Sequence, residues 1–66
     1  MRNRIRVLRA ELRLTQKELG ELVGVSREAI NAIENDKHDP SLRLANQIAR
    51  ALKTTIDNAF DLHEDH

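Results

Sequence analysis

Residues 15–37 read T-Q-K-E-L-G-E-L-V-G-V-S-R-E-A-I-N-A-I-E-N-D-K, and their second half carries the side chains with most to offer a partner. Ile30 and Ile33 mark the buried side of a short helix, so Arg27, Glu28, Ala29, Asn31 and Ala32 lie off that side and point away from the core. In such a row Arg27 offers a donor fork that matches guanine O6 and N7. Glu28 can accept from cytosine N4, and Ala29 or Ala32 can touch a thymine methyl. The same residues also suit an ordinary solvated helix face, with Arg27 beside Glu28.

Other chemistries find little to work with. There is no cysteine, hence no disulfide, thiolate metal site or thiol nucleophile. No Gly-rich phosphate loop occurs, and no Ser/His/Asp arrangement that so small a domain could close around a pocket. Phe60 is the one aromatic residue, which argues against stacking on single-stranded bases. His63 and His66 flank Glu64 and Asp65 at i, i+3 spacing, but two histidines do not complete a zinc site. The expectation is a protein that is not an enzyme and uses no metal, cofactor or small-molecule ligand.

The elements that must position these residues are helical. Ile5, Leu8 and Leu12 form one apolar stripe, which predicts a first helix over residues 2–13 or 3–13. Thr15 with Glu18 fits a capping box that opens a second helix, with Leu19, Leu22 and Val23 facing inward. Gly24 can take the positive φ that ends it, and Val25 plugs the turn into the core. Ser26 caps the third helix, which stops at Asn35-Asp36. After a loop at residues 38–41, where Pro40 turns Asp39 away from helical geometry, a fourth helix runs over residues 41–52. Leu44, Ala45, Ile48, Ala51 and Leu52 share its inner face. Thr54 or Thr55 caps a last short helix holding Ile56, Ala59 and Phe60, and residues 61–66 form a polar tail. The prediction is one all-α domain of five helices over residues 1–66, with its core within about residues 5–60 and a helix-turn-helix at helices 2 and 3.

Net charge is zero, but it is unevenly placed. The first 13 residues carry five Arg against one Glu, whereas the last 13 carry four acids and no Lys or Arg. A basic head can therefore serve an anionic partner although the whole chain is neutral. Arg2, Arg4 and Arg6 crowd the predicted first turns of helix 1, where cations oppose the helix dipole, so a phosphate or partner role competes with plain solvation. No apolar run approaches the ~20 residues of a membrane span. The absence of cysteine fits a reducing cytoplasm.

The order of elements resembles the Cro/CI-type helix-turn-helix family of prokaryotic regulators, also called the xenobiotic-response-element family. The matching residues are Leu8-Arg9, L-T-Q-K-E-L at 14–19, V-G-V-S at 23–26, I-N-A-I-E-N at 30–35, Lys37, D-P-S-L at 39–42, Ala45, Ile48, Ala49 and I-D-N-A-F at 56–60. The resemblance implies a lambda-repressor-like fold and a double-stranded DNA partner, with Arg27, Glu28 and Ala32 toward base edges in the major groove. It implies phosphate contacts from Gln16, Lys17, Ser26, Asn35 and Lys37, and a pairing of Arg9 with Glu34 that ties helix 1 to the end of helix 3. Asp36 departs from the family, many of whose members have glycine there. Glu28 and Ala29 stand where Gln or Thr is common.

Such a regulator reads a palindromic operator as a homodimer. Leu52, Ile56 and Phe60 offer a candidate interface along the end of helix 4 and helix 5. The competing expectation is that Phe60 folds back onto helix 1 and closes the monomer core. Alternatives to a repressor are an antitoxin that autoregulates a two-gene module, and a protein-interaction module that has lost DNA binding.

Overall fold

A computed structural model describes residues 2–61. They form α1 (Ile5–Glu11), α2 (Gln16–Val23), α3 (Arg27–Glu34), α4 (Leu42–Ala51) and α5 (Ile56–Ala59). The fold is all-α, as expected. His63, His66 and the rest of the tail beyond Asp61 lie outside the described residues.

Local chemistry starts four of the five helices. The Thr15 hydroxyl accepts from the Glu18 N–H at 3.0 Å while Glu18 Oε1 accepts from the Thr15 N–H at 2.8 Å, a complete capping box. Ser26, Ser41 and Thr55 hydroxyls accept from the amides of Ala29, Leu44 and Asn58 at 3.0, 3.1 and 3.2 Å. Each such bond satisfies an amide that the helix itself leaves open and contributes about 1 kcal/mol. Thr55, not Thr54, caps α5.

The helix ends are equally regular. Gly24 (φ 79) closes α2, and Arg13, Asp36 and Lys53 take the same left-handed geometry (φ 58, 60 and 60) after α1, α3 and α4. In each turn the next amide reaches back across the last turn of helix: Leu14 to Arg9 O, Val25 to Gly20 O, Lys37 to Ala32 O, Thr54 to Ala49 O, all at 2.9 Å. This is the Schellman closure, which glycine adopts freely and other residues adopt at a cost. Gly20 serves a different need. A Cβ there would sit 2.6 Å from Val25 O, so its absence lets the turn lie directly against α2.

The core gathers Ile5 and Leu8 of α1, Leu19 of α2, Ile30 and Ile33 of α3, Ala45, Ile48 and Ala49 of α4, and Leu52, Ala59 and Phe60. Leu12, Leu14, Val23, Val25, Leu44, Ala51 and Ile56 pack around it. Leu22 does not join: it is 62% exposed, against the expectation that it faces inward.

The chain ends differ from the sequence expectation. α1 begins at Ile5, because residues 2–4 pair with residues 59–61. Arg4 N–H donates to Ala59 O and Asp61 N–H to Arg2 O, both at 2.9 Å, around an antiparallel bridge between Asn3 and Phe60. Arg2 and Arg4 thus stand before the helix and not in its first turn. Asn3 links the two ends to α3: its Nδ2 donates to Ile33 O at 2.9 Å and its Oδ1 accepts from Ile5 N–H at 3.1 Å.

This pairing also corrects the expected dimer surface. Phe60 is extended, outside α5, and 1% exposed, and Leu52 is 3% exposed, so both are spent on the core of one chain. Of the three expected interface residues only Ile56 keeps surface.

Two outcomes follow from this packing. Phe60→Ala should lower unfolding stability by about 3–5 kcal/mol, the usual cost of emptying a buried aromatic site. The loss in urea denaturation should be the same at low and high protein concentration. Lys53→Gly should instead raise the urea midpoint, by about 1 kcal/mol of stability, because it relieves a left-handed non-glycine residue.

Candidate nucleic-acid interface

The capped start of α3 presents Arg27, Glu28 and Asn31 to solvent, while Ile30 and Ile33 on its other side are buried. Gln16, at the start of α2, joins Arg27, Glu28 and Asn31 around an open concavity of about 280 Å³. Arg27 Nη2 lies 3.6 Å from Glu28 Oε2, with both side chains mostly exposed. Such a surface pair is weak enough to yield to a partner that binds either group better. Ala29 and Ala32 are half-buried, so these two methyl groups form the shoulder of the exposed row and not its crest. Lys17, Ser26, Asn35 and Lys37 are exposed at the edges of α2 and α3.

Glu34, the last residue of α3, holds this face in place. Its side chain has no exposed surface and receives Arg9 Nε at 2.8 Å and Arg9 Nη2 at 3.3 Å. Arg9 Nη1 continues to Leu14 O at 2.8 Å. One guanidinium therefore ties α1, the turn into α2 and the end of α3, a fork geometry lysine cannot reproduce. Gln16 Nε2 donates to Glu34 Oε1 at 3.1 Å, and Arg6 Nε approaches the same oxygen at 3.5 Å. Burial by itself pushes the Glu34 carboxyl up. The hydrogen bonds from Arg9 and Gln16 and the positive charges of Arg9 and Arg6 outweigh it and hold the carboxyl below its usual value.

The expected Arg9–Glu34 tie is thus present in the geometry. Gln16 is more deeply engaged than a phosphate contact requires, since its amide also accepts from Asn31 Nδ2 at 3.4 Å. Asn35 Nδ2 donates to Asn31 O and Oδ1 at 2.9 and 3.2 Å, and Asn35 Oδ1 accepts from Arg6 Nη2 at 3.2 Å. The roles of Asn3 and Arg6 are not visible in the sequence: their partners lie about thirty residues away and belong to no periodic pattern.

Residues 5–58 match the helix-turn-helix family model. The chain belongs to the Cro/CI-type helix-turn-helix family of transcriptional regulators. An HTH-type transcriptional regulator of Methanothermobacter thermautotrophicus is 53% identical over 66 residues, covering 98% of this chain and 96% of that one. Another from Archaeoglobus fulgidus is 50% identical over 60 residues, covering 91% and 86%. Among solved structures, the P22 c2 repressor in complex with a synthetic operator superposes with a TM-score of 0.83 at 33% identity, covering 88% of each chain. The regulator is therefore a DNA-binding, repressor-like protein and not an enzyme. No helix of the described residues is long and apolar enough to cross a membrane, and no group of three or more His, Asp or Glu among them could hold a metal ion.

Glu34→Ala should cost the regulator about 3 kcal/mol of stability, because it strands Arg9 in a mostly buried position. The pH dependence has a definite sign. A carboxyl depressed in the folded state contributes stability that is complete above its ordinary value near 4.5 and is lost as pH falls through the lower folded value. Urea denaturation of the wild type from pH 6 downward should show this loss below about 4.5. In Glu34→Gln that part of the loss should disappear. An equal acid slope in both proteins would contradict the depressed carboxyl.

Proposed function

We propose that the regulator is a repressor that binds a palindromic operator as a homodimer, each copy laying α3 in the major groove. The exposed row of Arg27, Glu28 and Asn31 on an otherwise anchored helix carries this reading. The P22 c2 repressor, with its similar fold, was solved on an operator, and that likeness supports the same placement here. Arg27 would grip a guanine, Glu28 would accept from a cytosine amine, and Ala29, Asn31 and Ala32 would border them. Lys17, Ser26, Asn35 and Lys37 would contact phosphates on either side, with Gln16 bridging to the backbone at the start of α2.

A single α3 covers about half a site, so affinity and specificity favour two copies with recognition helices ~34 Å apart. With Leu52 and Phe60 committed to the core, the dimer contact would centre on Ile56 and the exposed surface beside α5, with the two buried residues as its rigid floor. Repression would follow from occupancy: the bound dimer blocks polymerase on the chromosome, in the cytoplasm. An antitoxin would add a protein partner to the same DNA-binding face, and an interaction module would lack salt-dependent DNA affinity altogether.

Selection of duplexes from a random-sequence pool at moderate salt tests this reading. The expected product is an inverted repeat with half-sites centred about one helical turn apart. A lone half-site would remove the dimer, and no enrichment by folded protein would remove operator binding. On the selected site, Arg27→Ala should cost ~1–3 kcal/mol and relax one base position, whereas Lys37→Ala should weaken all sequences alike and flatten the salt slope by about one. Equal losses on every sequence from both variants would end the assignment of Arg27 to base reading.

A further inference from the structure

A closed circuit of hydrogen bonds runs along the edge of the α3 face. Arg6 Nη2 donates to Asn35 Oδ1, Asn35 Nδ2 to Asn31 Oδ1, Asn31 Nδ2 to Gln16 Oε1, and Gln16 Nε2 to Glu34 Oε1, at 3.2, 3.2, 3.4 and 3.1 Å. Arg6 Nε, 3.5 Å from that same Glu34 oxygen, closes the circuit. Three side-chain amides therefore stand in series between a guanidinium and a carboxylate.

The two ends dictate the direction of everything between them. A guanidinium has no acceptor, and an ionised carboxylate has no donor. Gln16 must turn its NH2 toward Glu34, which leaves its oxygen to Asn31. Asn31 must then turn its NH2 toward Gln16 and its oxygen toward Asn35, and Asn35 its oxygen toward Arg6. A second contact imposes the same sense independently: Asn35 Nδ2 also donates to the Asn31 backbone carbonyl at 2.9 Å, and a carbonyl only accepts. Turning any one amide over would set donor against donor or acceptor against acceptor at both of its neighbours. An isolated surface amide presents either end to a partner, and an Asn free to use both ends pairs bidentately with adenine.

We propose that Arg6 and Glu34 are positioning residues for DNA recognition: through this circuit they lock Gln16, Asn31 and Asn35 so that the unspent amide hydrogens of Gln16 and Asn31 face the DNA as donors. At Asn31 this selects a base acceptor in the major groove, guanine O6 or N7, thymine O4 or, through one bond only, adenine N7, and it disfavours the bidentate pair with adenine. At Gln16 it suits phosphate oxygens. The inference rests on the operator-binding reading above and adds a specificity determinant that never touches DNA.

Arg6 is the residue to vary, because its side chain is 64% exposed and Arg9 remains on Glu34 when it is changed. Arg6→Gln replaces a donor-only end by one that can face either way, whereas Arg6→Lys keeps a donor-only cation. In proton–nitrogen correlation spectra of the free protein, Arg6→Gln should shift the side-chain NH2 pairs of Asn35, Asn31 and Gln16 more than the backbone amides of α3, and Arg6→Lys should shift them less. In selection from a random duplex pool, Arg6→Gln should lose about tenfold of discrimination at one base position in each half-site, with adenine gaining there through the bidentate pair. Arg6→Lys should keep the wild-type preference. Unmoved NH2 signals in Arg6→Gln would overturn the locking. So would a uniform loss of affinity with unchanged preference, the signature of charge alone. If the wild type enriches no sequence, operator binding itself fails and takes the recognition role of Arg6 with it, while the spectra still decide whether the amides are locked.

Discussion

A carboxylate with no exposed surface is the constraint around which the rest of this small protein is arranged. Glu34 can stay ionised only if its lost hydration is replaced, because an unpaired charge in such a place costs several kcal/mol. Arg9 supplies most of the replacement, and it can do so only if α1 lies beside the end of α3. The same guanidinium holds Leu14 O, so the entry to α2 is set by the same group. In buried ion pairs the desolvation cost offsets much of the attraction. The effect of this pair is to make other arrangements of α1, α2 and α3 expensive, which is what a recognition helix needs from its scaffold.

Around that tie the helices are short, seven, eight, eight, ten and four residues, too short to persist alone. They depend on caps at their starts, Schellman closures at their ends, and one shared core. The left-handed positions show how firmly the turns are held. Arg13, Asp36 and Lys53 accept a geometry that favours glycine, because each turn also seats the next residue's amide on the preceding helix. The pairing of residues 2–4 with 59–61 then joins the two ends of the described chain and buries Phe60 in the core.

What was legible in the sequence is what arises from neighbours. Thr15, Ser26 and Ser41 announce helix starts because a hydroxyl reaches an amide only three residues on, and Ile30 with Ile33 marks a buried side by helical spacing. Thr55 could not be separated from Thr54, since both stand next to the same apolar residues. Leu22 fits the inner spacing of α2 yet is exposed, because so short a helix has few neighbours to cover that flank. Ile56 and Phe60 are the clearest limit: an i, i+4 apolar pair says that surface will be covered and not by what. Phe60 leaves the helix to meet Asn3, and a contact between residues at opposite ends of the chain has no local signal. The Arg9–Glu34 tie came from family resemblance, not from composition or spacing. The amides that join it, Gln16, Asn31 and Asn35, look in sequence like three unrelated polar residues.

That last point bears on how recognition can change. α3 is divided lengthwise: Ile30 and Ile33 face the core, Glu34 faces the buried tie, and Arg27 and Glu28 face solvent. Arg27 and Glu28 are mostly exposed and paired with each other, so they can be replaced with little effect on the fold, which makes them the natural place for new base preferences to arise. Asn31 is in a different position. It is exposed, yet its amide is joined on one side to Gln16 and on the other to Asn35, and through them to Glu34 and Arg6. A change at Asn31 therefore breaks a series of oriented bonds as well as a surface contact, and a change at Arg6, far along the chain in α1, reaches Asn31 through the same series. Stability and recognition are separable at the start of α3's exposed row and coupled further along it, at Asn31.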